Sequence, residues 1–263
     1  MNEFPGLRRL IEVMRRLRDP DSGCPWDLAQ DGRSLARYTL EEAHELVAAL
    51  EAGEPSAVRD ELGDLLFQVV FHAQLAVERG DYDFDAVAAG IAGKLERRHP
   101  HVFAAGGTGG VAQWEKIKAE ERGARGAHGV LDDVPLSLPA LMRATKLGKR
   151  AASVGFDWPD AGGARAKVLE ELAEVDAAAA ESPARDADAR VAEEIGDLLL
   201  AVTSLARHLR VDPESALRQA NQRFEDRFRR MESAAAQRGL TLAALGPKEW
   251  DSLWEEVKRG VQS

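Results

Sequence analysis

Four acidic residues in the first half of the chain are spaced so that they could bind a divalent cation. Glu42 and Glu45 are three positions apart, as are Glu61 and Asp64, and residues three apart share a face of a helix. The segment Gly53-Glu54-Pro55-Ser56 between the pairs is typical of a turn between helices. Because each pair lies a similar distance from this turn, an antiparallel hairpin would bring the four carboxylates together.

The second half repeats this arrangement at a spacing of about 130 residues. Its acidic pairs are Glu171 with Glu174 and Glu194 with Asp197, and Ser182-Pro183 lies between them. Each half continues with a basic pair four residues apart and ends in a Trp-Glu-x-x-Lys segment. These elements are Lys94, Arg98 and 114–118 in the first half, and Arg223, Arg227 and 254–258 in the second. Four elements in the same order indicate two copies of one domain.

Clustered carboxylates point to metal chemistry, because they repel one another unless a cation neutralises them. Mg²⁺ prefers oxygen ligands and keeps several of its waters, so such a site could hold a triphosphate and activate a water. A single Glu-x-x-Glu on a charged helix is usually solvated surface. The repetition of two pairs around a turn favours a magnesium site instead.

The composition predicts helices, since Ala, Leu, Glu and Arg dominate and aromatic residues make up only 6%. Apolar residues recur at three and four positions, as at Leu62, Leu65, Leu66 and Val69. We predict an all-α fold of two tandem helical bundles, at residues 1–122 and 138–263. The intervening segment 123–137 is rich in Gly and Pro and is predicted to be an exposed linker.

The overall charge and the cysteine content narrow the range of partners. A formal net charge of −10 argues against binding nucleic-acid polymers or anionic membranes. Cys24 is the single cysteine, which excludes an internal disulfide and a cysteine-rich zinc site. The sequence has no apolar run typical of a signal peptide or a membrane span. We therefore expect a cytoplasmic protein.

These motifs together resemble the MazG family of nucleoside triphosphate pyrophosphohydrolases, over nearly the whole chain. The first half carries Cys24-Pro25-Trp26-Asp27, its acidic pairs and the segment 97–103. The second half carries the segments 138–141, 154–158 and 221–228 around its own acidic pairs. The resemblance implies a homodimer of the all-α nucleotide pyrophosphatase type. It also implies Mg²⁺-dependent hydrolysis of the α–β phosphate bond, giving a nucleoside monophosphate and pyrophosphate.

The resemblance also implies roles for individual residues. The metal ligands and catalytic residues would be Glu171, Glu174, Glu194 and Asp197. Contacts to the phosphates and the nucleotide would come from Lys167, Glu171, Arg190, Arg223, Arg227 and Trp254. A second site in the N-terminal domain would use Glu42, Glu45, Glu61, Asp64, Lys94 and Arg98. The cellular role would be nucleotide pool clean-up or alarmone-linked regulation.

The two predicted sites differ in the cations that accompany the carboxylates. The residues four positions before Glu171 and Glu194 are Lys167 and Arg190, whereas Tyr38 and Ala57 hold the matching places in the first half. A triphosphate carries about four negative charges, and cations stabilise the charge that develops on the leaving pyrophosphate. We therefore predict that the second domain carries most of the hydrolysis.

Two other functions fit parts of the sequence. A non-catalytic regulatory module could keep the acidic clusters to sense metal or nucleotide without turnover. A di-iron carboxylate bundle would use Glu-x-x-His pairs, and Glu41 with His44 and Glu96 with His99 have this spacing. However, Ala173 replaces the histidine in the second copy. His72 and His208 are interpreted as packing residues.

Overall fold

The computed structural model describes residues 4–103, 110–124, 129–180 and 187–259, which contain helices and connecting turns and no β-strand. This confirms the predicted all-α class. The chain divides into two compact units, Met1–Glu121 and Arg122–Ser263, and each is described by itself. Within the described ranges, no helix combines the length and the apolar character needed to cross a bilayer.

The first unit is organised around a hairpin of two long helices. Its helices are α1 (Pro5–Leu17), α2 (Pro25–Leu28), α3 (Gly32–Ala52), α4 (Pro55–Arg79), α5 (Phe84–Arg98), α6 (Pro100–Phe103) and α7 (Val111–Ala124), whose last three residues lie beyond the unit boundary at Glu121. Helices α3 and α4 form the hairpin, and α1 and α5 pack on α4. Buried apolar side chains from α1, α3 and α4 form the core: Met14, Leu35, Val70, Phe71 and Leu75.

Local sequence fixes both ends of α3. Asp31 caps its N-terminus by accepting hydrogen bonds from the amides of Arg33 and Ser34, and the Ser34 hydroxyl accepts one from the Asp31 amide. At the other end Gly53 adopts a positive φ of 74°, and Pro55 opens α4. The turn predicted at residues 53–56 therefore sets the register of the acidic hairpin.

The second unit repeats the hairpin. Its helices are α8 (Ala140–Ala152), α9 (Ala161–Ala180), α10 (Ala187–His208), α11 (Pro213–Gln237) and α12 (Pro247–Arg259), with a 3₁₀ turn at Leu242–Ala244. Helices α9 and α10 form the hairpin, α8 packs on α10, and α11 packs on α12. The turn expected near Ser182-Pro183 lies outside the described residues. A core of Met231, Ala235, Leu253 and Val257 joins α11 to α12.

The segment predicted as an exposed linker, 123–137, is only partly exposed in the described residues. Gly123 belongs to α7, which ends at Ala124, and residues 125–128 lie outside the described ranges. Val134 is buried, and Arg150 of α8 donates a hydrogen bond to the carbonyl oxygen of Val130. Apolar residues within a Gly- and Pro-rich stretch thus hold part of this segment on the second unit.

Candidate metal and nucleotide site

Three carboxylates of the second unit converge on one point of the hairpin. Glu171 of α9 and Glu194 and Asp197 of α10 each place one oxygen within 4.8 Å of the others. Glu171 is buried, with 4% of its surface exposed, whereas Asp197 is exposed to solvent. This set of oxygen ligands suits a hard divalent cation that keeps some of its waters.

The fourth predicted ligand, Glu174, lies one turn of α9 beyond Glu171. Its carboxyl group shares a hydrogen bond with the Glu171 carboxylate, and this bond raises the pKa of Glu174. Repulsion between neighbouring carboxylates of this kind is what a bound cation relieves.

Lys167 supplies positive charge to this cluster. Its ammonium nitrogen lies 2.7 Å from a carboxylate oxygen of Glu170 and 2.5 Å from one of Glu171. These hydrogen bonds raise the pKa of Lys167, the bond with Glu170 having the larger effect. The hydrogen bond from Lys167 also lowers the pKa of Glu171. The structure thus brings Lys167 to the carboxylates, as its position four residues before Glu171 allows.

The other predicted nucleotide contacts lie on three different helices. Arg190 lies one turn before Glu194 on α10, and Arg223 and Arg227 lie on α11. Trp254 is half-buried on α12, packs against the α11–α12 core and lies 5.6 Å from the Phe224 ring. Its surroundings are those of a core residue, and the nucleotide contacts of these four residues stay predictions.

The first unit contains a matching acidic cluster. Glu42 and Glu45 of α3 and Glu61 of α4 each place one oxygen within 4.8 Å of the others. Burial raises the pKa of Glu42, and the neighbouring carboxylates raise it further, beginning with Asp64. Burial and the Glu45 carboxylate likewise raise the pKa of Glu61. This cluster therefore also favours a cation.

The first cluster has different neighbours from the second. Tyr38 occupies the position in the first unit that corresponds to Lys167 in the second, and its hydroxyl accepts a hydrogen bond from Arg37. The predicted phosphate ligand Arg98 donates to Glu121, with Nη2 2.5 Å and Nε 3.1 Å from one carboxylate oxygen. Lys94, half-buried on α5, is the remaining predicted cation of this site. Arg98 is therefore engaged between α5 and α7.

Sequence reasoning missed a large cavity in the second unit. It has a volume of about 780 Å³ and is lined by residues of α8, α9, α10 and the loop between α8 and α9. Lys167, Glu171 and Asp197 line it, and so do Ser204 and Arg207. Ser204 and Arg207 lie seven and ten positions after Asp197, a spacing that places residues on a similar side of a helix. This spacing is the sequence signal that could have revealed them.

An ion-pair network holds the α8–α9 loop at this cavity. Arg207 donates from Nη1 and Nη2 to the two carboxylate oxygens of Asp157, at 2.7 and 2.5 Å. His208 Nε2 lies 3.0 Å from the same carboxylate, and the Trp158 amide donates to it. These contacts, chiefly the one with Arg207, lower the pKa of Asp157 to about 2. His208, which was interpreted as a packing residue, is largely buried, and its ring also contacts this carboxylate.

Comparisons with known proteins agree with this architecture. The model of the MazG nucleotide pyrophosphohydrolase domain matches residues 30–103, which contain the first acidic cluster. The chain is 49% identical over 257 residues to the nucleoside triphosphate pyrophosphohydrolase of Escherichia coli (strain K12), covering 96% of this chain and 97% of that protein. It is 42% identical over 257 residues to the nucleoside triphosphate pyrophosphohydrolase/pyrophosphatase MazG of Thermotoga maritima, covering 98% and 97%.

These comparisons define the class of the protein as a nucleotide pyrophosphohydrolase, here an all-α one with an acidic cluster on each helical hairpin. The sequence identity and the coverage of both chains show the family within that class. The chain belongs to the MazG nucleotide pyrophosphohydrolase family.

The contacts of Asp157 with Arg207 and His208 should stabilise the folded protein. Asp157→Asn should lower the free energy of unfolding at neutral pH by about 1 kcal/mol, allowing for solvent screening of a partly exposed group. Because the pKa of Asp157 is about 2 in the folded protein against 3.8 ordinarily, its stabilisation is complete above pH 3.8 and is lost as the pH falls toward 2. Urea unfolding followed by circular dichroism at several pH values measures this difference.

The control for this measurement is Asp176→Asn, which changes an exposed carboxylate on α9 of the same unit. It should change the free energy of unfolding at neutral pH by less than about 0.5 kcal/mol. A difference between wild type and Asp157→Asn that stays constant below pH 3.8 would contradict the assigned network.

Proposed function

We propose that this protein hydrolyses nucleoside triphosphates at the α–β bond in a Mg²⁺-dependent reaction, with most of the turnover in the second unit. The observation that carries the proposal is the meeting of Glu171, Glu194 and Asp197 with Lys167. The names of the relatives in E. coli and T. maritima support the same reaction class. The products would be a nucleoside monophosphate and pyrophosphate.

The side chains have separable roles in this reaction. Glu171, Glu174, Glu194 and Asp197 would hold Mg²⁺, which when bound supplies charge neutralisation and a more acidic water. If a cation shared the charge of Glu171, the ammonium group of Lys167 would be available to a phosphate oxygen. Nucleotidyl transfer to water needs positioning and positive charge, and no covalent intermediate with the protein.

Further positive charge would come from cations on other helices. Arg190, Arg223 and Arg227 would contact the phosphates, and Trp254 would help to hold the nucleotide, as the family resemblance implies. This charge would stabilise the pyrophosphate as it leaves. The setting would be the cytoplasm, where nucleoside triphosphates are abundant, in nucleotide pool clean-up or alarmone-linked regulation.

The difference between the units supports the assignment of turnover to the second. Both present three converging carboxylate oxygens, so metal binding alone does not separate them. Tyr38 and Ala57 replace the two cations next to the carboxylates in the first unit, and Arg98 is bound to Glu121. The first cluster therefore has less positive charge to offer the phosphates of a substrate.

The two alternative functions differ in how well they fit the described residues. The two acidic clusters described above are formed by carboxylates, whereas His44 is exposed and His99 Nδ1 lies 2.7 Å from the Leu95 carbonyl oxygen. A di-iron site is therefore not proposed. A non-catalytic sensor would bind metal and nucleotide through the same clusters, so turnover is the measurement that separates it from an enzyme.

The primary test is the identity of the products. With Mg²⁺ and a nucleoside triphosphate, chromatography should show nucleoside monophosphate and pyrophosphate in equal amounts. EDTA should abolish the reaction, and Ca²⁺ should support it poorly because its larger and looser coordination shell misplaces the reacting groups. Release of a nucleoside diphosphate and orthophosphate would exclude the proposed reaction, and stoichiometric binding without product would favour the sensor.

A matched pair of variants tests which unit turns over. Glu171→Gln should lower kcat/KM by about 100-fold or more, because it removes a charged oxygen ligand at the reaction centre. The same change at the equivalent residue of the first unit, Glu42→Gln, should leave activity within about threefold of wild type. Thermal unfolding of both variants controls for folding. Equal losses of kcat/KM, or a greater loss for Glu42→Gln, would contradict the assignment of most turnover to the second unit.

We also propose that the protein is a homodimer, because both hairpins expose an apolar stripe in the same register. In the second unit the stripe is Ile195, Leu199 and Val202, which are 43%, 50% and 42% exposed. The equivalent stripe in the first unit is Leu62, Leu66 and Val69, which are 52%, 38% and 40% exposed. Contiguous apolar patches of this kind usually mark an interaction surface, and two-fold dimers are the commonest soluble assembly.

Light scattering should therefore give about 57 kDa, twice the 28.6 kDa of one chain. Leu199→Glu should shift the protein toward the monomer, because it places a charge in the apolar stripe. Leu136→Glu changes an exposed leucine outside the stripes and should leave the dimer intact. A fully active monomer at micromolar concentration would refute the dimer.

A further inference from the structure

Lys167 contacts two carboxylates, and one of them, Glu170, lies outside the predicted set of metal ligands. The ammonium nitrogen is 2.7 Å from Glu170 Oε1 and 2.5 Å from Glu171 Oε1. The side chain of Glu170 is 58% exposed, whereas that of Glu171 is 6% exposed. The ammonium group therefore bridges an outer carboxylate at the solvent and an inner carboxylate that belongs to the acidic cluster.

The inner contact places the lysine charge on a carboxylate that the metal would use. Glu171 supplies one of the three converging oxygens of the cluster, and the hydrogen bond from Lys167 lowers its pKa. A carboxylate whose charge is already compensated attracts a second cation less strongly, and the two cations repel each other at this distance. Lys167 and a divalent cation therefore compete for Glu171.

The outer contact gives the lysine a second position. A lysine ammonium has three donors on a flexible four-carbon stem, so it can leave Glu171 by a side-chain rotation and still keep its ion pair with Glu170. The bond with Glu170 also has the larger effect in raising the pKa of Lys167. Moving away from the cluster therefore costs the lysine one of its two ion pairs instead of both.

The first hairpin forms without this arrangement. Tyr38 and Glu41 occupy the positions of Lys167 and Glu170, and Tyr38 brings no charge to the cluster. Its ring lies under the guanidinium group of Arg37, with 4.5 Å between the guanidinium carbon and the ring centroid. Since the same helical hairpin folds with a tyrosine at this place, the lysine and its two carboxylates are not required for the fold.

We propose that Lys167 is a built-in competitor of the metal at Glu171, and that Glu170 is the positioning residue that receives its ammonium group when a divalent cation binds. The proposal rests on the proposed function, because that function places Mg²⁺ at Glu171 and the substrate phosphates beside Lys167. A phosphate that binds the displaced ammonium group prevents its return. The metal and the nucleoside triphosphate therefore bind the second cluster cooperatively.

The first test measures metal binding without nucleotide. Mn²⁺ is the probe, and electron paramagnetic resonance of the free ion gives its dissociation constant. The full chain carries Glu45→Gln and Glu61→Gln, so that the second cluster is titrated alone. Lys167→Met should lower the dissociation constant by about tenfold, because it removes the competing charge.

The same substitution should have the opposite effect on turnover. In the otherwise unchanged chain, Lys167→Met should lower kcat/KM for a nucleoside triphosphate by about 100-fold, because the phosphates lose a cation. Tighter metal binding together with slower turnover distinguishes a competitor of the metal from a lysine that only holds the helix, since the loss of a purely structural contact would not strengthen metal binding. Thermal unfolding without metal controls for folding.

The second test is a double-mutant cycle on Glu170. Glu170→Gln should raise the dissociation constant for Mn²⁺ by about fivefold, because the ammonium group then keeps Glu171 as its carboxylate. In protein that already carries Lys167→Met, the same change should alter the constant by less than about twofold, since Glu170 is exposed and its own charge is screened by solvent.

The first unit supplies the matched control. With Glu194→Gln and Asp197→Asn silencing the second cluster, Mn²⁺ titrates the first cluster alone. Glu41→Gln, the equivalent of the change at Glu170, should alter the dissociation constant there by less than about twofold, because Tyr38 carries no charge to be relocated.

The outcomes separate this proposal from the proposed function. Unchanged or weaker Mn²⁺ binding in Lys167→Met would overturn the competition at Glu171. An equal effect of Glu170→Gln with and without the lysine would overturn the positioning role of Glu170. The Mn²⁺ titrations need no turnover, so they decide both points even if the wild-type protein releases no monophosphate and pyrophosphate, a result that would overturn the proposed function.

Discussion

Mutual repulsion among carboxylates at each helical hairpin is the constraint on which the rest of the molecule depends. Three carboxylate oxygens within 4.8 Å of one another oppose folding, so other parts of each unit must hold the helices together. In the first unit this stabilisation comes from the Gly53–Pro55 turn and a core centred on Phe71. A divalent cation would remove the remaining repulsion. The free energy that this repulsion costs the folded protein would then contribute to the affinity for the cation.

The two units meet this constraint in different electrostatic ways. In the second unit Lys167 lies beside Glu171 and lowers its pKa, so one carboxylate of the cluster is held in its charged form. In the first unit burial and neighbouring carboxylates raise the pKa of Glu42. In the proposed reaction, Lys167 would turn from a carboxylate to a phosphate and would so link metal binding to substrate binding. One repeated sequence motif therefore forms two acidic clusters with different electrostatic surroundings.

The parts of the structure that depend on local sequence could be predicted, and those that depend on distant pairs could not. The spacing of Glu171, Glu194 and Asp197 was enough to place them together, because helix geometry converts spacing into position. The contact between Asp157 and Arg207 joins residues 50 positions apart, and composition carries no signal for it. The cavity depends on side-chain volumes from three helices at once. Similarly, the burial of Val134 follows from tertiary packing, which outweighs the turn preferences of its Gly- and Pro-rich neighbours.

The two units place their largest apolar side chains differently. Leaving space beside α10 forfeits the packing that Phe71 supplies in the first unit, and lost packing of this kind costs roughly 2–5 kcal/mol per large side chain. The second unit instead packs Met231, Leu253 and Val257 between α11 and α12, away from the acidic hairpin. The contacts of Asp157 with Arg207 and His208 tie the α8–α9 loop to α10 at the cavity. The second unit therefore combines an acidic hairpin that borders a cavity with a larger apolar core on α11 and α12.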